Sequence, residues 1–73
     1  MAIKGMIEKH PLEAYRIERG LSQAAFGALI GASGAAISRY ETGARQPRGE
    51  RLKKLVEITG LPASAILGMT EAA

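Results

Sequence analysis

Six basic residues, Arg39, Arg45, Arg48, Arg51, Lys53 and Lys54, fall within residues 39–54, and only Glu41 and Glu50 oppose them. That stretch carries +4, whereas residues 1–38 carry +1 and residues 55–73 carry −2, within a net charge of +3. A guanidinium is a planar fork of N–H donors and an ammonium is a compact point charge. Concentrated on one loop and the helix ends beside it, they form the footprint of a polyanion site. A solvated surface can show the same clustering by chance, so charge alone does not decide. Groups that make and break bonds are scarce. The one histidine, His10, stands beside Pro11, and the chain has no aspartate and no cysteine. Ser22, Ser33, Ser38 and Ser64 have no neighbouring base. The run "GALIGASG" lacks the lysine that closes a phosphate-cradling loop. The residues therefore argue against an enzyme, and no metal or cofactor is expected. Without cysteine, neither disulfides nor thiolate zinc sites staple the chain, which fits a reducing cytoplasm.

Short helices must position these cations. His10 can cap a first helix with Pro11 at its first position, where a missing N–H costs nothing. Leu12 and Tyr15 share its inner face, Gly20 ends it, and Leu21 follows as a buried plug. Ser22 is a good N-cap for a second helix. Its inner face holds Phe26 and Ile30 with Gly27 beside them, and Gly31 stops it. Ser33 caps a third helix running to about Thr42, with Ile37 and Tyr40 inward and Gly43 at its end. "ARQPRGE" is a basic loop. A fourth helix begins near Arg48, turns Leu52, Leu55, Val56 and either Ile58 or Thr59 inward, and ends at Gly60. "LPASAIL" predicts a short fifth helix from Pro62 that buries Leu61, Ile66 and Leu67. The expected fold class is all-α, in one domain over residues 10–68. Residues 1–9 read as an arm and residues 69–73 as a frayed tail. Helices this short need packing to persist. "MAIKGMIEKH" has no apolar core of signal-peptide length. The longest stretch without a polar side chain, Ala24–Ala32, is far below the roughly 18 residues that span a bilayer.

The spacing from Gln23 to Tyr40 carries the functional reading. Two helices crossing steeply through a three- or four-residue turn need a small residue where the backbones approach, here Gly27. They need a residue tolerant of positive φ in the turn, here Gly31. They need apolar residues filling the angle, here Phe26, Ile30 and Ile37. That is a helix-turn-helix. The chain resembles the helix-turn-helix family of phage Cro proteins and phage-repressor DNA-binding domains. The resemblance covers about Leu12 to Leu67. It rests jointly on "GLSQ" at Gly20–Gln23, Gly27, Gly31, "ISRYETG" at Ile37–Gly43, the turn at Pro47 and the closing "TGLP". Two departures stand out. The family commonly has Ala where Gly27 stands and a larger aliphatic where Ala32 stands, and both are expected to loosen the core slightly.

The resemblance implies a lambda-repressor-like fold of five short helices whose third helix reads the major groove of double-stranded DNA. Carried over residue by residue, the base-contacting positions are Gly34, Ala35, Ser38 and Arg39. Short side chains let a helix approach the groove closely. Ala35 or Ala36 could meet a thymine methyl, and Arg39 could pair with guanine O6 and N7. In the competing reading, Gly34–Ala36 merely packs and Arg39 touches a phosphate. Gln23 is the family's usual phosphate clamp at a helix N-terminus. Ser33 and Thr42 can add backbone contacts, as can Arg45, Gln46 and Arg48 on the loop. At most one or two of Arg51, Lys53 and Lys54 should face DNA, and Lys4 and Lys9 of the arm could add contacts. The family often pairs an arginine of the first helix with a glutamate near the end of the recognition helix. Arg16 and Glu41 match, as a structural pair or as two solvated charges.

The implied role is a Cro-like transcriptional regulator, phage or bacterial, cytoplasmic and associated with the nucleoid, on a pseudo-palindromic operator. A weak homodimer is expected, or a monomer that dimerises on DNA, through the fifth helix with Leu61, Ile66, Leu67 or Met69 partly exposed. The absence of a following oligomerisation domain favours a small stand-alone regulator. The alternative is an antitoxin-type interaction module that masks a toxin and autoregulates its operon. Its contact surface would come from the arm, Leu29 or the Leu61–Met69 region. An RNA reader would expose stacking aromatics, whereas the three aromatics here have core or near-core assignments.

Overall fold

The computed structural model describes residues 9–68; the rest of the expected arm, with Lys4, and the tail, with Met69, lie outside the described residues. His10 stands where the chain first turns helical. Its Nδ1 accepts the Leu12 N–H at 3.0 Å, and its Nε2 lies 3.0 Å from the Ile66 carbonyl oxygen. Because Nδ1 is an acceptor, Nε2 carries the proton and donates it. One side chain thus caps the first helix and ties it to the last.

Five helices and no strand occur among the described residues: α1 (Pro11–Glu18), α2 (Gln23–Ile30), α3 (Gly34–Thr42), α4 (Gly49–Thr59) and α5 (Ala63–Leu67). Most starts and stops have a local cause, though no side chain caps the start of α4 or α5. Ser22 Oγ accepts the Ala25 N–H, and Ser33 Oγ accepts the Ala36 N–H, so each serine satisfies one orphan amide of its helix. Gly31, Gly43 and Gly60 cap α2, α3 and α4 in the left-handed region. Pro62 is the N-cap of α5 rather than its first residue.

The core is built from one or two side chains per helix: Leu12, Phe26, Ile30, Ile37, Tyr40, Leu55 and Ile66. Burying each such side chain contributes about 1.5–3 kcal/mol, which helices of this length need in order to persist. Tyr15, Leu21, Leu52, Val56, Ile58 and Leu61 pack against this core, half-buried. Leu21 is therefore less enclosed than a buried plug. Thr59 has a different task, since its Oγ1 donates to the Leu55 carbonyl and accepts the Leu61 N–H, closing the end of α4. Ile66 is buried as expected, at 2% exposure, and so drops out of the residues named for a dimer contact. α5 has five residues, and Ile66 is its buried contribution to the core, tied through its carbonyl to His10. Leu61 and Leu67 stay half-buried.

Helices α2 and α3 meet at two glycines. A Cβ on Gly27 would lie 2.5 Å from the Ala32 carbonyl oxygen and 3.0 Å from that of Ser33. Gly27 therefore does not loosen the core. It lets the α2 backbone touch the turn, whose Ala32 N–H donates to the Gly27 carbonyl at 2.8 Å. A Cβ on Gly34 would lie 3.1 Å from the Ala24 nitrogen. Among the described residues, no helix is long and apolar enough to cross a membrane.

Candidate nucleic-acid interface

Helix α3 turns Ile37 and Tyr40 inward, so its other face is fixed by the helical period. Ala35, Ser38, Arg39 and Thr42 follow one another at i, i+3, i+4 and i+7 on that outer face. Ala35, Arg39 and Thr42 are exposed and Ser38 is half-buried. Ala36 packs against the core, leaving Ala35 as the outward methyl. Gly34, half-buried, sits against the start of α2, with its missing side chain directed at Ala24 and Gln23. Its smallness therefore serves the approach of the two helices. The exposed surface of α3 is low, with one long cation rising from it.

Three hydroxyl and amide side chains expected at a nucleic-acid backbone also have structural duties. Ser33 Oγ is the α3 cap. Thr42 Oγ1 donates to the Arg39 carbonyl and receives the Ala44 N–H. Gln46 Nε2 donates to the Leu67 carbonyl at 3.3 Å, fastening the basic loop to the end of α5. Pro47 is buried, so the loop is anchored at its middle while Arg45 and Arg48 remain exposed. The Arg45 N–H donates to the Arg39 carbonyl at 3.3 Å, holding the loop against the end of α3.

Arg16 and Glu41 form the pair foreseen from the sequence. Arg16 Nε donates to Oε2 at 2.7 Å and Nη2 to Oε1 at 3.1 Å, while Nη1 donates to the Leu21 carbonyl at 3.0 Å. The side chains are 13% and 4% exposed. The hydrogen-bonded Glu41 carboxylate raises the Arg16 pKa above that of an ordinary arginine, against the opposing effect of burial. A raised folded pKa stabilises below the unfolded value and is lost as pH climbs through the folded one. For Arg16 that window is strongly alkaline, so the pair holds at neutral pH. Gln23 joins it, donating from Nε2 to Glu41 Oε1 at 3.0 Å. The sequence reading assigned Gln23 only an outward role. Its amide is also oriented by the α3 glutamate, at the N-terminus of α2 where the Gln23 and Ala24 amides have no intrahelical acceptor.

A groove of about 480 Å³ runs between α3 and the start of α4, lined by Arg39, Tyr40, Arg45, Arg48, Glu50 and Arg51 among others. Arg51 is the cation of α4 that lines it. Among the described residues the ion pairs are Arg16–Glu41 and, at 3.8 Å, Arg19–Glu18. The four groove arginines therefore have no carboxylate partner there. Uncompensated cations beside a low helix face suit a polyanion. Among the described residues no group of three or more His, Cys, Asp or Glu side chains could hold a metal ion.

No curated protein and no solved structure matches the chain. A helix-turn-helix family model matches residues 12–66, from the first core leucine to the last core isoleucine. That span includes α2, the Gly31 turn, α3 and the arginine groove, and the chain belongs to the helix-turn-helix family of phage-repressor and Cro-like domains, a DNA-binding regulatory family.

Proposed function

We propose that this protein is a sequence-specific regulator of transcription, Cro-like, that inserts α3 into the major groove of double-stranded DNA. The observation that carries this reading is the outer face of α3, where Ala35 and Arg39 are exposed beside a groove of arginines that have no carboxylate partner among the described residues. Ala35 would meet a thymine methyl, and Ser38 and Arg39 would reach base edges. Gly34 would contribute closeness rather than a side-chain contact. Gln23, Ser33, Thr42, Arg45, Gln46 and Arg48 would follow the backbone, which fixes register without reading sequence. With DNA as the partner, the proposed location is the cytoplasm, at the nucleoid.

One such helix reads only a few base pairs, so two copies one helical turn apart would multiply specificity. We therefore propose a pseudo-palindromic operator and a weak homodimer, with the half-buried Leu61 and Leu67 beside and on α5 at the contact. Sedimentation on and off DNA tests this, and a single copy on a non-palindromic site would reject it.

The test of the main reading is a selection from random duplexes followed by a salt titration of the winner. If about four phosphates per subunit are neutralised, a dimer gives a log–log slope near −7. A slope near zero would mean that DNA is not the partner. The toxin-masking role draws its support from Ile17 and Leu29, which are 48% and 49% exposed. Both roles include DNA binding, so the neighbouring gene separates them: a toxin in one case, a divergent repressor in the other.

A further inference from the structure

We propose that Tyr40 and Arg51 together form a phosphodiester-binding pair in the groove between α3 and α4, a backbone contact distinct from those of the recognition helix and the loop. The proposal rests on the DNA-binding reading above and names a further site within it.

The Tyr40 side chain fills the core, and the residue is only 7% exposed, yet Tyr40 lines the groove and its hydroxyl meets Arg51, which lines it too. Arg51 Nη1 donates to that hydroxyl at 3.2 Å, and Arg51 Nη2 lies 3.5 Å from the Gly31 carbonyl oxygen, in the turn between α2 and α3. Two consequences follow. The tyrosine oxygen accepts from Arg51, so its own proton must point elsewhere, and no acceptor for it occurs among the described residues. The guanidinium is spread across two elements by neutral partners, so its position is set while its charge is not neutralised. Glu50 lines the same groove but makes no ion pair with Arg51.

The result is a pair of adjacent donors, Arg N–H and Tyr O–H, facing one space. A phosphodiester supplies two anionic oxygens for such a pair, and the fork of arginine suits it better than a lysine point charge. Its source is the duplex read by α3, because the groove is continuous with Arg39 on the reading face. Arg45 and Arg48 must be ordered on binding, whereas Arg51 is already braced, which lowers the entropy lost on contact.

The experiment uses the selected duplex, copies of it with a single neutral methylphosphonate linkage at each backbone position, and the full-length chain. The variants are Arg51→Met, Tyr40→Phe and the pair together. Arg51→Met should weaken binding about tenfold and Tyr40→Phe about fivefold, as lost hydrogen bonds to a charged group do. The salt slope of Arg51→Met should fall by about 0.9 per subunit. The double variant should be little worse than Arg51→Met, because the two side chains act as one contact. At one linkage the neutral substitution should cost the wild type about tenfold and Arg51→Met almost nothing, a readout that a merely structural role would not move. If Arg51→Met does not fold, Arg51→Lys takes its place and should lose part of the same linkage effect. The proposal is overturned if the Arg51 variant keeps the wild-type slope and feels every neutral linkage as the wild type does. It is also overturned if inorganic phosphate alone shifts the Tyr40 ring resonances while that linkage pattern stays wild-type, since the groove then takes a free anion. If the wild type binds no duplex at low salt, the DNA reading itself falls and this site falls with it.

Discussion

Arg16 meets Glu41 edge to edge, with two hydrogen bonds of 2.7 and 3.1 Å, across the interface between α1 and the end of α3. Both side chains are largely sequestered, at 13% and 4% exposure. Arg16 also holds the Leu21 carbonyl, and Glu41 also holds Gln23. One part-buried ion pair therefore ties α1, the α1–α2 turn, α2 and α3 together. It sets the position of α3 relative to the scaffold, which decides what α3 can reach.

Removing one partner from such a pair strands the other charge. Arg16→Ala should lower stability by roughly 3–5 kcal/mol. Arg19, the C-cap residue of the same helix, is the control. Its guanidinium lies over the Tyr15 ring at 3.9 Å and its side chain is 50% exposed. Arg19→Ala should cost at most about 0.5–1 kcal/mol, the usual worth of an exposed cation–π contact. Urea melts of the two variants decide, and equal stabilities would reject the structural role of Arg16.

Gly27→Ala should be destabilising, by about 1–3 kcal/mol, because the new methyl meets the Ala32 carbonyl oxygen at 2.5 Å and the backbone must shift. Family resemblance alone points the other way, since alanine is common at this position. Ala28, exposed on the same helix, provides the comparison. Ala28→Ser should stay within about 0.5 kcal/mol of the wild type. A Gly27→Ala protein as stable as Ala28→Ser would show that α2 and the turn have room to part.

His10→Ala removes an N-cap and the tie to Ile66 at once. The cap alone is worth about 0.5–2 kcal/mol. His10→Asn restores an acceptor for the Leu12 amide but is too short to serve both partners, so it should recover part of the loss. Thermal melts give the order wild type, asparagine, alanine. An alanine variant that melts with the wild type would reject both bonds.

Why some of this was legible in the sequence and some was not follows from the range of the interactions. Helix ends are decided by neighbours: Ser22 and Ser33 cap amides three residues on, and Gly31, Gly43 and Gly60 supply left-handed backbone locally. The outer face of α3 follows from the period once Ile37 and Tyr40 are inward. The Arg16–Glu41 pair was foreseen only through the family resemblance, since nothing local links residues 25 apart. Gln23–Glu41 and Tyr40–Arg51 depend on how helices cross, and no short-range pattern announces them. Ile66 was expected both in the core and among the residues of a dimer contact, and it is buried. On a five-residue helix that choice is made by what lies beneath, here the α1 end of the core.

The last prediction separates reading from holding on the outer face of α3. Arg39 is exposed on α3, in line with Ala35, and no acidic residue pairs with it among the described residues. If it forks onto guanine, Arg39→Ala should cost roughly 1–3 kcal/mol at the selected site. Its affinity for random DNA should fall less, because base contacts contribute little there. The ratio of specific to non-specific binding therefore shrinks. Arg45 and Arg48 flank the anchored loop and would meet phosphates. Arg45→Ala and Arg48→Ala should weaken both kinds of binding about equally and lower the salt slope. All three side chains are exposed, so the variants should melt close to the wild type. Competition between selected and random duplexes at one fixed salt concentration distinguishes the cases. Should Arg39→Ala weaken both alike, Arg39 is a phosphate contact. Specificity would then rest on DNA shape and on the short outer residues of α3, Ala35 and Ser38.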